Sequence, residues 1–194
     1  MPTSPRLTAI VAATVEGGIG RDGGLPWRLP GEMKYFARVT TGEASTLPTG
    51  SRNAVIMGRK TWDGIPPKFR PLKDRHNLVV SRAGVDVSNN TNTTAHGSLE
   101  DAITLLPEST HRAFLIGGAQ LYDQALPRYC DRVLLTRVLD KIECDAFLAD
   151  FTSDKSWRQA SHKDLCEWVG WEVPEGEVEE KGTKYRFEMW VRDL

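Results

Sequence analysis

The chain has 194 residues, 40% hydrophobic and 26% charged, with a formal net charge of −1. That balance excludes a disordered chain and suits one domain with its own apolar core. It also offers no general attraction to nucleic acid or to an anionic membrane, so any bound anion must be held by a local cluster.

The cysteines, Cys130, Cys144 and Cys166, are few, odd in number and widely spaced. They offer neither a disulfide framework nor a CxxC metal site, and a reduced intracellular compartment is the expectation. No run reaches the apolar length of a membrane span, and the first residues lack a signal-peptide core. The sequons Asn89-Asn90-Thr91 and Asn92-Thr93-Thr94 fall in a polar loop and read as chance.

In chain order, Leu7–Ala13 is a continuous apolar run, the mark of a strand buried on both faces. Gly18-Ile19-Gly20-Arg21-Asp22-Gly23 follows and matches a dinucleotide-binding glycine pattern. Such a site needs its glycines to open a helix, whereas Gly24-Leu25-Pro26-Trp27-Arg28-Leu29-Pro30 comes next. The segment reads instead as a flap beside the first strand. Gly31–Thr41 predicts a helix with Gly42 as its stop. Glu32, Tyr35, Phe36 and Val39 share one face, so a carboxylate stands on the apolar stripe. Taken alone, Glu32 is either a wet acid favoured by the helix dipole or a nearly buried acid of raised pKa. Gly42–Ser51 is a loop by composition.

Further buried strands are expected at Ala54–Met57, Leu78–Ser81, Ala113–Ile116 and Val133–Val138. Gly58-Arg59-Lys60-Thr61-Trp62 and Ser81-Arg82 each follow such a strand, as either solvated cations or phosphate ligands. A helix at Leu99–Leu106 starts with Ser98 and Asp101 in a capping-box pattern and ends at Pro107. Gly117-Gly118 precedes a helix at Ala119–Leu126, and makes either a tight turn or a backbone approach to pyrophosphate. Trp171–Gly182, rich in glutamate, reads as a solvated loop. Lys184–Val191 alternates as an antiparallel strand, with Trp157–His162 as its neighbour. Strands alternating with helices predict an α/β fold with a largely parallel sheet, whose carboxyl edge would gather these strand ends.

The ordered set Ile10-Val11-Ala12, Gly18-Ile19-Gly20, Leu25-Pro26-Trp27, Glu32, Val55–Trp62, Ile65-Pro66, Arg70-Pro71-Leu72, Ser81-Arg82, Ile116-Gly117-Gly118 and Tyr122 resembles the dihydrofolate reductases. The tail Glu179–Tyr185 resembles the eukaryotic branch, and the general appearance is fungal. The likeness runs from about Leu7 to Val191. It implies a single domain with an eight-stranded, mostly parallel sheet, about four helices and an antiparallel C-terminal strand. It implies NADPH-dependent reduction of dihydrofolate by a cytoplasmic monomer that binds antifolates such as methotrexate and needs no metal.

On the same resemblance, Glu32 anchors the pterin and promotes protonation at N5, Trp27 helps hold a water, and Thr136 hydrogen-bonds to Glu32. Ile10, Val11, Met33 and Phe36, with Ile65, Phe69, Leu72 and Ile116, would line the substrate pocket. Arg75 would pair with the substrate's α-carboxylate, a task suited to a guanidinium fork. Ala12, Gly18, Ile19 and Gly20, with Gly23, Gly24 and Leu25 of the flap, would lie near the nicotinamide. Gly58, Arg59, Lys60, Thr61, Ser81 and Arg82 would hold the adenosine phosphates. Gly117, Gly118, Ala119, Gln120, Leu121 and Tyr122 would hold the pyrophosphate, with a cis bond at Gly117-Gly118.

Ala146 in Asp145-Ala146-Phe147-Leu148-Ala149 stands where many relatives have threonine, for which a structural effect is expected. Met33 stands where Phe or Leu is common. A related reductase acting on another pterin or pyrimidine need not have Glu32 or Arg75. A catalytically silent binding protein would have lost Glu32, Trp27 or Thr136. Length excludes a thymidylate synthase fusion in this chain.

Overall fold

The computed structural model describes residues 5–194. Among them, strand alternation organises everything. In β1 (Leu7–Thr14), Leu7, Ala9, Val11 and Ala13 face one side of the sheet, and Ile10 faces the other. The same period of two divides Ala54 and Ile56 from Val55 and Met57 in β3 (Arg52–Gly58). It also divides Leu115 from Phe114 in β6 (Thr110–Gly117), and Val133 and Leu135 from Leu134 in β7 (Cys130–Val138). Each strand is apolar on both sides, so helices must cover both. Leu99, Ala102 and Ile103 of α3 (Leu99–Thr104) and Leu121 and Ala125 of α4 (Ala119–Ala125) pack on the first face. Tyr35 and Val39 of α1 (Pro30–Thr41), Trp62 of α2 (Arg59–Gly64) and Leu165 and Val169 of α5 (His162–Val169) pack on the second.

The main sheet runs in the order β10 (Val178–Glu180), β11 (Thr183–Val191), β7, β1, β6, β3, β4 (Arg75–Val80), β5 (Thr93–His96). From β7 to β5 every pairing is parallel, and β11 joins β7 antiparallel. The expectation of eight strands holds for this path. A ninth, β9 (Arg158–Gln159), pairs with β11 off it, within the expected Trp157–His162 neighbour. A separate two-stranded sheet joins β2 (Gly18–Gly20) in the flap to β8 (Ala146–Phe147).

Two expectations, at α3 and at Trp171–Gly182, are corrected. Among the described residues there are five α-helices, in keeping with the about four expected, and the last, α5, begins at His162. Its start is a full capping box: Ser161 accepts from Asp164 N–H and Asp164 from Ser161 N–H. At α3 only half of that device forms, since Ser98 accepts from Asp101 N–H without a return bond, and the helix ends at Thr104, short of Leu106. The acidic Trp171–Gly182 stretch is not a bare solvated loop, since it contributes β10 and the buried Val173.

β1 leads through α1 to β3 on one side, while its neighbour β6 leads through α4 to β7 on the other. Adjacent strands whose connections part in opposite directions leave a crevice at their carboxyl ends, where open α/β sheets bind ligands. Phe114 is fully buried on the α1 face of β6, with its ring edge-on to Trp168 at 6.1 Å. Phe114→Ala is expected to lower unfolding free energy by about 3–5 kcal/mol in urea titration, through lost contact and a cavity that rigid strands cannot close.

Candidate active site

Helix α1 begins at Pro30 without a side-chain cap, because Leu29 has no group to offer. A distant residue supplies one. The Gly31 N–H donates to both Glu180 carboxylate oxygens at 3.0 and 2.8 Å, and the Tyr185 hydroxyl donates to the same carboxylate at 3.3 Å. The acid that ends β10 therefore sets the position of the first turn of α1, where Glu32 stands.

Glu32 is only 7% exposed. The Thr136 hydroxyl, reaching from β7, donates to its Oε1 at 3.1 Å. Among the described residues no cation pairs with it. Glu188, the other buried acid, shows the contrast. Burial pushes its carboxyl up, but hydrogen bonds from Trp190 and Arg186 and the charge of Arg137 outweigh that and leave it below the ordinary range. For Glu32 burial wins: its carboxyl is pushed up to about 6, with the Thr136 bond opposing and the Glu180 charge adding to the rise. An acid poised there can hold or give a proton near neutrality.

Around this carboxyl the structure gathers most of the expected apolar residues. Ile10 lies on the Glu32 face of β1, in one cluster with Phe36, Ile65, Leu72 and Ile116. Val11 stands differently: alternation puts its side chain on the opposite face, among Leu121 and Tyr122. Trp27 is buried with Leu29 and Tyr185, beside Ala12, and its Nε1–H has no acceptor among the described residues. Met33, Phe69 and Leu25 are apolar yet 56%, 59% and 58% exposed. Arg75 is buried, its Nε donating to the Lys73 carbonyl at 2.8 Å and its Nη1 to the Thr40 hydroxyl of α1 at 2.9 Å. No carboxylate pairs with it among the described residues. Burial pulls its pKa down, and Asp74 opposes that shift.

The second half of the edge is backbone-rich. Met57 pairs with Gly117, and Gly58 with Val80, so the ends of β3, β4 and β6 are side by side. The Gly117–Gly118 peptide is cis, as expected. A Cβ on Gly117, where φ is +142°, would sit 3.0 Å from the Thr61 hydroxyl; one on Gly58 would sit 3.6 Å from the Gly118 nitrogen. Side chains here would fill a cradle that now exposes main chain. Neither α2 nor α4 has a side-chain cap at this end. Arg59 and Ser81 both donate to the Gly84 carbonyl, at 2.7 and 3.2 Å, and Arg59 also meets Asp63 at 3.4 Å. Lys60 and Arg82 are exposed beside them. The Tyr122 hydroxyl donates to the Ile10 carbonyl at 2.8 Å, tying α4 to β1. Of its neighbours, Ala119 is half-buried, Gln120 exposed and Leu121 in the core.

Over the crevice, the flap is stiff at its base and open at its tip. A Cβ at Gly18 would meet the Cys144 sulfur at 2.5 Å, whereas one at Gly23 meets nothing within 4 Å. Ile19 packs partly on the core; Gly20 pairs with Ala146, and Gly24 bonds Arg21 across the turn.

Glu180 is the residue that sequence patterns did not single out. Its only signal was its place in the Glu179–Tyr185 tail, since nothing local ties it to Gly31, 149 positions away.

A buried acid and a glycine cradle on one edge of a parallel sheet mark out an enzyme that acts on a small molecule. The family model for dihydrofolate reductase matches residues 6–168. The dihydrofolate reductase of Cryptococcus neoformans is 48% identical over 97% of this chain and 96% of its own length. That of Pneumocystis carinii is 44% identical over 97% of both chains. A bifunctional dihydrofolate reductase-thymidylate synthase of Glycine max is 41% identical over 76% of this chain but 29% of its own. The chain belongs to the dihydrofolate reductase family, and its full-length fungal relatives place it with the fungal type.

Two substitutions should move the Glu32 pKa in opposite directions, as read by carboxyl carbon NMR. Thr136→Val removes the bond that lowers it and should raise it above 6, and Glu180→Gln removes the repelling charge and should lower it. Stability follows by linkage. A carboxyl raised from 4.5 to about 6 stabilises the fold below 4.5, and that contribution is lost as pH rises through 6. The stability of Glu32→Gln relative to the parent should therefore grow by up to about 2 kcal/mol between about pH 4 and about pH 8 in urea titrations.

Proposed function

We propose that the chain reduces 7,8-dihydrofolate to 5,6,7,8-tetrahydrofolate with NADPH, sustaining one-carbon supply for thymidylate, purine and amino-acid synthesis. The observation that carries this reading is the buried, cation-free Glu32 carboxyl with a pKa of about 6, on the same sheet edge as the Gly58, Gly117 and Gly118 cradle. When bound, NADPH supplies a hydride for C6 of the pterin, while N5 takes a proton.

Glu32 accepts hydrogen bonds from the pterin 2-amino group and its neighbouring ring nitrogen, and it promotes protonation at N5 through water. Thr136 holds the carboxyl in that orientation. Trp27 Nε1–H, buried without a protein acceptor, suits the water that relays the proton. Ile10, Phe36, Ile65, Leu72 and Ile116 line the ring pocket, and Met33 and Phe69 are its exposed apolar rim. Arg75 receives the substrate's α-carboxylate, because burial without an anionic partner leaves its charge to be answered by the ligand.

The glycine cradle and the uncapped turns of α2 and α4 fit the cofactor's pyrophosphate. Arg59, Lys60, Thr61, Ser81 and Arg82 fit the 2′-phosphate end, which favours NADPH over NADH. Ala12, Ile19 and Gly20 border the nicotinamide, and the flap tip at Gly23, Gly24 and Leu25 excludes water over it.

The first test is the loss of NADPH absorbance with dihydrofolate, with NADH substituted, and with methotrexate added. Turnover that favours NADPH and is blocked by methotrexate is expected; a folded protein without turnover overturns the proposal. Glu32→Gln should cut turnover by about 100-fold or more, most severely above pH 6 where solvent protons are scarce. Arg75→Leu should weaken dihydrofolate binding about 10–100-fold with a smaller effect on kcat, as separate kcat and KM measurements would show.

A further inference from the structure

A groove of about 680 Å³ runs along α5 and the turn that follows it, lined by His162, Cys166 and Glu172. His162 and Cys166 are four residues apart on α5 and share one face. Gly170 ends the helix in a left-handed conformation, with φ at +87°, and turns the chain so that Glu172 comes back to the same place. The Cys166 sulfur lies 3.3 Å from His162 Nε2 and 3.9 Å from Glu172 Oε2, and the three donor atoms all fall within 4.8 Å of one another. Tetrahedral zinc bonds of about 2.0–2.3 Å put neighbouring ligand atoms about 3.3–3.8 Å apart. The two sulfur spacings are therefore already close to those of a zinc ligand set, and the third is within 4.8 Å.

We propose that His162, Cys166 and Glu172 form a zinc site, with solvent as the fourth ligand. The donor chemistry selects the ion. A thiolate with an imidazole favours zinc over magnesium or calcium, and one carboxylate completes a mixed N, S, O set. Binding displaces the Cys166 thiol proton to solvent and forms the zinc–sulfur bond with no change of oxidation state. The Val173 N–H, which donates to the Cys166 sulfur at 3.3 Å, supports the thiolate from behind. Glu172 is exposed, so the ion has an open path in. The ion would pin α5 to the Trp171–Val173 turn.

The test uses the reduced full-length protein, stripped with a chelator and then titrated with zinc against a chromophoric competitor, and separately with cobalt. One equivalent is expected to bind, with a thiolate-to-cobalt charge-transfer band, and zinc should raise Tm without changing NADPH turnover. Glu172→Gln, at an exposed position that tolerates change, should weaken zinc at least tenfold. His162→Ala should do the same, and Cys166→Ser should abolish the cobalt band. Absence of stoichiometric binding, a cobalt spectrum without the band, or zinc affinity equal to the parent in folded Glu172→Gln and His162→Ala would overturn the site. A band that persists in Cys166→Ser would assign it to another cysteine and overturn it equally.

Discussion

The whole site depends on keeping one carboxyl out of water without giving it a cation. Burial alone would make that acid costly, and a lysine or arginine would make it a spectator like Glu188, held low by its partners. Glu32 has neither fate because its neighbours are a hydroxyl, Thr136, and a second acid, Glu180, whose own charge is spent on the Gly31 N–H. The hydroxyl stabilises the ionised form a little and the distant acid opposes it a little. The carboxyl is left balanced between its two states, and the residual preference is set by elements from opposite ends of the chain.

That balance is possible only because of where the sheet delivers these groups. Thr136 is on the α1 face of β7 by strict alternation with Val133 and Leu135, and Phe187 of β11 lies beside it in register. The antiparallel β10–β11 pair then brings Glu180 back to the first turn of α1. The chain's last strands, which could pass for a simple sheet edge, thus serve the acid as much as the core does. On the other half of the crevice the requirement is reversed. There the structure withholds side chains, at Gly58, Gly117 and Gly118, so that main-chain groups face outward.

Much of this was legible in the residues. The buried strands announced themselves because both faces are apolar, and α1 because Glu32, Tyr35 and Val39 recur at helical spacing. What escaped did so for physical reasons. Strand β5 is a polar edge strand, with Thr94 and Ala95 exposed, so no alternation marks it. Helix α5 is short, and its signal was in its caps, Ser161, Asp164 and Gly170, rather than in a long apolar stripe. Ile10 and Val11, adjacent in the chain, send their side chains to opposite faces of the sheet, which a list of site residues does not reveal. Glu180 was invisible locally, since its partners are fixed only once the sheet has closed.

The glycines of the flap carry a last consequence. A Cβ on Gly17 would fall 2.8 Å from the Leu148 carbonyl oxygen, and one on Gly18 would fall 2.5 Å from the Cys144 sulfur, so the root of the segment cannot be redecorated. Its tip is held by a reciprocal pair of main-chain bonds between Arg21 and Gly24, by the Asp22 N–H donating to the Asp145 carboxylate at 2.9 Å, and by an exposed Arg21–Glu143 ion pair at 3.3 Å. Space around the main chain is therefore greatest at Gly23, where a Cβ would meet nothing within 4 Å, and least where β2 pairs with β8. A side chain is thus admitted at Leu25, which is exposed, and refused at Gly17 and Gly18, so the segment can vary near its tip while its root keeps one fixed form.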